Sequence, residues 1–184
     1  MDEQNKEQRE RWRDQALTEI LHILQEEAPQ AEVREGVVYF LWDHISQQED
    51  WRAVGEIQFL PYIAAYEDES ILQIHLTVAQ NVKKELLPEL APRLMELTDA
   101  ALLGRLGLDQ EGHVYYTARI PLVTTQPAEI AHCAALTLYE MVDFLDNFYA
   151  YLLVLVTEPQ KLTLAQYLDL LSQPPEDKTG EEHS

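Results

Sequence analysis

Cysteine is almost missing from this chain. Cys133 is the one thiol in 184 residues, so no intrachain disulfide can form and the fold must hold by packing. A lone thiol fits a reducing compartment, and Cys133 is expected to serve as a small core residue. Basic residues are scarce: Lys plus Arg number 13 against 33 Asp plus Glu, a net charge of −20. One polyanion repels another, so direct binding of nucleic acid or an anionic membrane is not expected. Basic proteins or peptides are the favoured partners if charge matters, although such charge also simply keeps a protein in solution. Glycine is scarce, six residues at separated positions, which leaves no loop to cradle a phosphate. There is no GxGxxG, no Walker-type GKS or GKT and no GxSxG elbow. Long apolar runs are lacking: NFYAYLLVLVT (147–157) falls short of the roughly 20 residues that span a bilayer. Residues 1–27 carry charge throughout and lack the apolar stretch of a secretory signal. A cytoplasmic location is the expectation, with no membrane partner.

What is present reads as one α+β domain over residues 1–172, followed by a disordered acidic tail at 173–184. Residues 4–28 carry Trp12, Ala16, Ile20, Ile23 and Leu24 at helical spacing. VVYFLW (37–42) reads as a strand buried on both sides or lying at an edge. After a turn at SQQED, WRAVGEIQFLPYIAAY (51–66) reads as a second strand, in which Gly55 and Pro61 suggest a bulge or an edge. EDES (67–70) is a turn, and ILQIHLTVAQ (71–80) alternates Leu72, Ile74, Leu76 and Val78 against polar residues. Residues 83–104 read as a helix or a pair of short helices interrupted by Pro88 and Pro92. Two short strands then flank a DQEG turn, with Val114, Tyr116, Ala118 and Ile120 on one face and Tyr115, Thr117 and Arg119 on the other. Residues 127–157 give the strongest helical signal, with Thr125 or Gln126 at its cap. Its apolar arc spans roughly 200°, against ~100° for an ordinary surface helix. Phe144, Phe148, Tyr151 and Leu155 form one flank and Val142, Tyr149 and Leu153 the other, so the helix must be covered from two sides. The sheet supplies one cover; a short helix at 162–172 or a second subunit supplies the other. The expected architecture is a mainly antiparallel sheet in the order α-β-β-β-α-β-β-α plus a short C-terminal helix.

Candidate chemistry is sparse. The histidines, His22, His44, His75, His113, His132 and His183, show no HExxH and no metal-ligand pairing, and there is no CxxC. No catalytic residue, metal site or cofactor is assigned. Glu140, Asp143, Asp146 and Asn147 form a polar strip on the long helix. Read functionally, the strip could hold a divalent cation in a small-ligand or metal-dependent enzyme; read plainly, it is a solvated face. No Lys or Arg lies between Arg119 and Lys161 or between Arg52 and Lys83, which predicts an acidic surface where helix packs on sheet. The aromatics Trp42, Trp51, Tyr62, Tyr115, Tyr149 and Tyr151 could form a binding patch, although in such elements aromatics more often serve the core.

The stretch LDQEGHVYYTARIPL (108–122) carries the pattern DxxGxVxYxxxIPL, here Asp109, Gly112, Val114, Tyr116, Ile120 and Pro121, just before the long helix. With the element order, size and acidity, it resembles the YbjN-like proteins, which share a fold with the class I type III secretion chaperones. The resemblance covers residues 10–157, and none of the motif positions is catalytic in that family. It implies a non-enzymatic α+β domain, often a homodimer; the chaperones of this fold hold extended effector segments, and YbjN-like members are described as regulators. Longer strands within 37–66, a final helix and the tail depart from the small chaperones. The expected function is a non-catalytic protein-binding or regulatory domain, a homodimer that takes a basic or amphipathic segment. Phe144, Phe148, Tyr151, Tyr115 and Arg119 are the candidate binding or dimer surface. A structural homodimer without a peptide groove, burying Phe144 and Phe148 on self-association, is a further alternative.

Overall fold

The computed structural model describes residues 3–43, 51–60, 70–122 and 126–173. The turn at SQQED, the second half of the 51–66 stretch with Tyr62, the turn before Ser70, Thr125 and the tail beyond Gln173 lie outside the described residues.

The chain runs α1 (Glu3–Leu24), β1 (Glu32–Arg34), β2 (Val37–Asp43), β3 (Arg52–Phe59), β4 (Ser70–Ala79), α2 (Leu87–Thr98), β5 (Arg105–Leu108), β6 (Val114–Leu122), α3 (Pro127–Thr157) and α4 (Leu164–Leu171). It is an α+β fold. The six strands form one antiparallel sheet in the order β1-β2-β3-β4-β6-β5. Relative to the expected order, the addition is β1, which pairs with β2 across the two-residue turn Glu35–Gly36.

Alternation decides which face of the sheet is interior. Val38, Phe40, Ile57, Leu72, Ile74, Leu76, Val114, Tyr116 and Ala118 point to one face and are buried, with α1 against β1 and β2 and α3 against β4 and β6. β2 is thus buried on one side only and lies inside the sheet rather than at its edge. β3 is also central, and Gly55 makes no bulge: it pairs with Phe40, and a Cβ there would stand 2.1 Å from the Phe40 ring. Its glycine serves close approach of that ring. The irregularity falls in β4 instead, between Thr77 and Ala79.

The 83–104 stretch begins with a 3-10 turn at Lys84–Leu86 and continues as α2. Pro88 occupies the first turn, where a missing N–H costs nothing. Pro92 leaves only the Pro88 carbonyl without its helical donor, and Leu90, Leu94 and Leu97 bury on the far side.

Candidate functional site

The long helix is covered by its own chain. α1 runs along one side of α3, and α4 closes part of the other. Thr163 caps α4 in a reciprocal arrangement with Gln166, which fixes its start. Tyr167 then stacks on Tyr151 at 5.1 Å, lies 6.1 Å from Phe148, and donates its hydroxyl to the Asn147 carbonyl at 3.1 Å. Phe144 sits 5.4 Å from Tyr116 and 4.8 Å from Phe148. Phe144 and Tyr151 are therefore interior, at 8% and 0% exposure, and offer no surface; Phe148 is half-buried among them. No second subunit is needed to bury this flank.

Tyr115 and Arg119 lie elsewhere. β6 alternates, so Tyr115, Thr117 and Arg119 point to the outer face while Tyr116 points to α3. The register lines up Tyr39, Glu56, His75, Thr117 and Arg105 across that face. His75 Nδ1 is hydrogen-bonded to Thr117 Oγ1 at 2.9 Å, its ring stacks on Tyr115 at 5.1 Å, and Arg119 Nε donates to Gln73 Oε1 at 3.3 Å. Burial lowers the His75 pKa, against the opposing charges of Glu56 and Asp109. The five residues expected to form one binding surface thus divide between the interior and the outer sheet face.

Glu140, Asp143, Asp146 and Asn147 are exposed, and Asn147 Nδ2 is engaged by the Asp143 carbonyl at 2.8 Å and by Asp143 Oδ2 at 3.2 Å. Glu56, from the other basic-free stretch, points to the outer sheet face, away from α3; Glu67, Asp68 and Glu69 of that stretch lie outside the described residues. Among the described residues the one group of three potential metal ligands within 4.8 Å of one another is Asp109, Glu111 and His113, not the strip. Its geometry is that of a turn. Asp109 Oδ1 accepts the Glu111 and His113 amides at 2.8 and 2.9 Å, and Oδ2 meets His113 Nδ1 at 2.9 Å. The amide of His113, then its ring, hold the Asp109 pKa below the usual carboxylate range. The DQEG turn was legible in the sequence; the side-chain contacts by which Asp109 gathers Glu111 and His113 within it were not.

Cys133 is exposed rather than a core residue. Trp42 is buried, and Trp51 packs at 4.7 Å from Tyr149 while donating its indole N–H to the Val78 carbonyl at 3.0 Å.

A cleft of about 460 Å³ opens between α2 and the outermost strand β5. Ala91, Leu94, Met95, Leu106 and Leu108 give it an apolar lining, with Thr98, Asp99, Arg105 and Tyr115 as polar groups. Met95 is 69% exposed, and Leu102 and Leu103, in the connection from α2 to β5, are 80% and 40% exposed. Thr98 ties the two walls together, donating to the Leu94 carbonyl at 2.8 Å and accepting the Leu106 amide at 3.0 Å. Sequence reasoning missed this cleft because neither wall is unusual alone; it arises from the docking of α2 beside an edge strand.

The geometry defines an α+β protein with an apolar cleft at one sheet edge. No family model and no curated protein matches this chain. Among the described residues no helix is long and apolar enough to cross a membrane.

Proposed function

We propose that this chain is a non-catalytic protein-binding domain that takes a polypeptide segment in the cleft between α2 and β5. The observation that carries the reading is the cleft's apolar lining beside the exposed Met95, Leu102 and Leu103. Apolar side chains grouped at the surface around a concavity mark interaction sites. The net charge of −20 favours a basic partner. The resemblance of residues 109–121 to the YbjN-like proteins, and through them to the type III secretion chaperones, supports the same reading, and the lone thiol fits a cytoplasmic setting. The test is selection of a displayed peptide library on the purified chain. Enriched peptides should lose binding to Met95→Glu and keep it to Asp143→Asn. Failure to enrich, or peptides indifferent to Met95→Glu, would refute the reading.

Self-association is a second reading. α4 leaves Leu168, Leu170 and Leu171 at 42%, 56% and 61% exposure, a surface a second copy would cover. Light scattering at several concentrations tests it: a constant monomer mass rejects the homodimer.

A further inference from the structure

An exposed edge strand ordinarily invites an extended partner to add as a further strand. At β5 that mode is obstructed. The strand has four residues, and alternate ones turn their amides away from β6. The outward amide of Leu106 is already bonded to Thr98 Oγ1, which draws α2 along the edge. By the alternation, the next outward position is Leu108, and the chain turns away directly after it, the Asp109 amide bonding to the His113 carbonyl at 3.1 Å. One outward residue sets no strand register.

We propose that the occupant of this cleft is an amphipathic helix of another polypeptide with lysine or arginine on its polar face, docked by side chains rather than by strand addition. This rests on the peptide-binding reading above. The α2 wall runs from Ala91 to Asp99, about 12 Å at helical rise, which matches about two turns of a docked helix with anchors at i, i+3 or i+4, and i+7. Met95 at the rim has the adaptable side chain that suits such a groove. Charge complements a basic polar face: Asp99 lines the cleft, Asp109 and Glu111 follow the C-terminal end of β5, and Arg93 is neutralised by Glu96 at 3.0 Å. Arg105, the one basic side chain in the lining, places a single acidic residue on the ligand.

The test uses the full chain and two labelled leucine–lysine probes of roughly 14 residues, long enough to gain helix on docking. They have one composition; in one the leucines follow helical spacing, in the other they alternate. Fluorescence anisotropy should show the helical-period probe binding at least about tenfold tighter. Its helical circular dichroism should rise on mixing, Met95→Glu should abolish the preference, and Asp143→Asn, on the exposed strip of α3 outside the cleft, should leave it unchanged. A tighter alternating probe that gains further in Thr98→Val, where the Leu106 amide is freed, overturns the helix mode and leaves the cleft as a peptide site. Binding of neither probe, or binding indifferent to Met95→Glu, overturns both.

Discussion

The Tyr151 ring is fully buried, yet its hydroxyl has no hydrogen-bond partner among the described residues. Tyr116 is equally buried, and its hydroxyl donates to the Leu103 carbonyl. Removing these two hydroxyls should therefore have opposite effects. Tyr151→Phe removes an unsatisfied polar atom and should raise stability by about 1 kcal/mol, whereas Tyr116→Phe should lower it by about 1 kcal/mol. Urea titration of both variants reads the difference; a loss in both would mean that the Tyr151 hydroxyl is satisfied after all. Burial, then the Glu140 charge, pushes the Tyr116 pKa from 10.0 up to about 12. In the unfolded chain this phenol ionises near pH 10, so above that pH unfolding releases a proton. Its contribution is complete below pH 10 and is lost as pH rises to about 12. Tyr116→Phe should flatten that part of the alkaline loss, read from denaturation midpoints across the interval. Such pairs mark the limit of what helical angle can tell. Cys133 and Tyr151 lie on the same line of α3, about five turns apart, and only the turns beneath α4 are covered. The sequence placed both on an apolar or near-apolar flank; which half is buried depends on where α4 lands.

Elements with strong periodicity were legible. Strict alternation marked β4 and β6, and the wide apolar arc marked α3, because burial against a single neighbouring layer imposes those periods. β1 was not legible: three residues carry no period, and pairing with β2 is what makes them a strand. The role of Gly55 was misread for a related reason, since the Phe40 ring that requires it comes from the neighbouring strand. The β5–β6 turn was read correctly as a hairpin, and its glycine bears a specific load. Gly112 has φ +87°, its carbonyl accepts the Val82 amide at 3.0 Å, and an added Cβ would stand 2.4 Å from the Val82 carbonyl oxygen. Both the backbone conformation and the close approach oppose a side chain. Gly112→Ala should cost more than about 1 kcal/mol, seen as a lower thermal midpoint. Its effect should reach beyond the hairpin, because the same contact anchors the segment between β4 and α2, one wall of the cleft. A melting temperature equal to that of the parent would show that the 80–83 segment can move aside.

For the molecule as a whole, charge separates the two modes of association that its surfaces suggest. Each copy carries −20, so bringing two copies together opposes like charge, and added salt relieves that opposition. Docking a basic helix at the cleft gains from unlike charge, and added salt removes the gain. The two salt responses must therefore have opposite signs. Between roughly 0.05 and 0.5 M salt, where the screening length falls from above about 10 Å to a few ångströms, affinity for the helical leucine–lysine probe should drop while any dimer fraction rises. Substitutions divide the surfaces further. Met95→Glu should remove probe binding and leave molar mass unchanged; Leu170→Glu, on the 56%-exposed α4 position, should prevent dimers and leave probe binding intact. If both variants removed both activities, the cleft and the α4 leucines would belong to one surface, and a second copy of the chain, not a basic segment, would be its occupant. Probe binding that strengthened with salt would point the same way, since the apolar contacts alone would then be driving it and the acidic surface would have no part in choosing the partner.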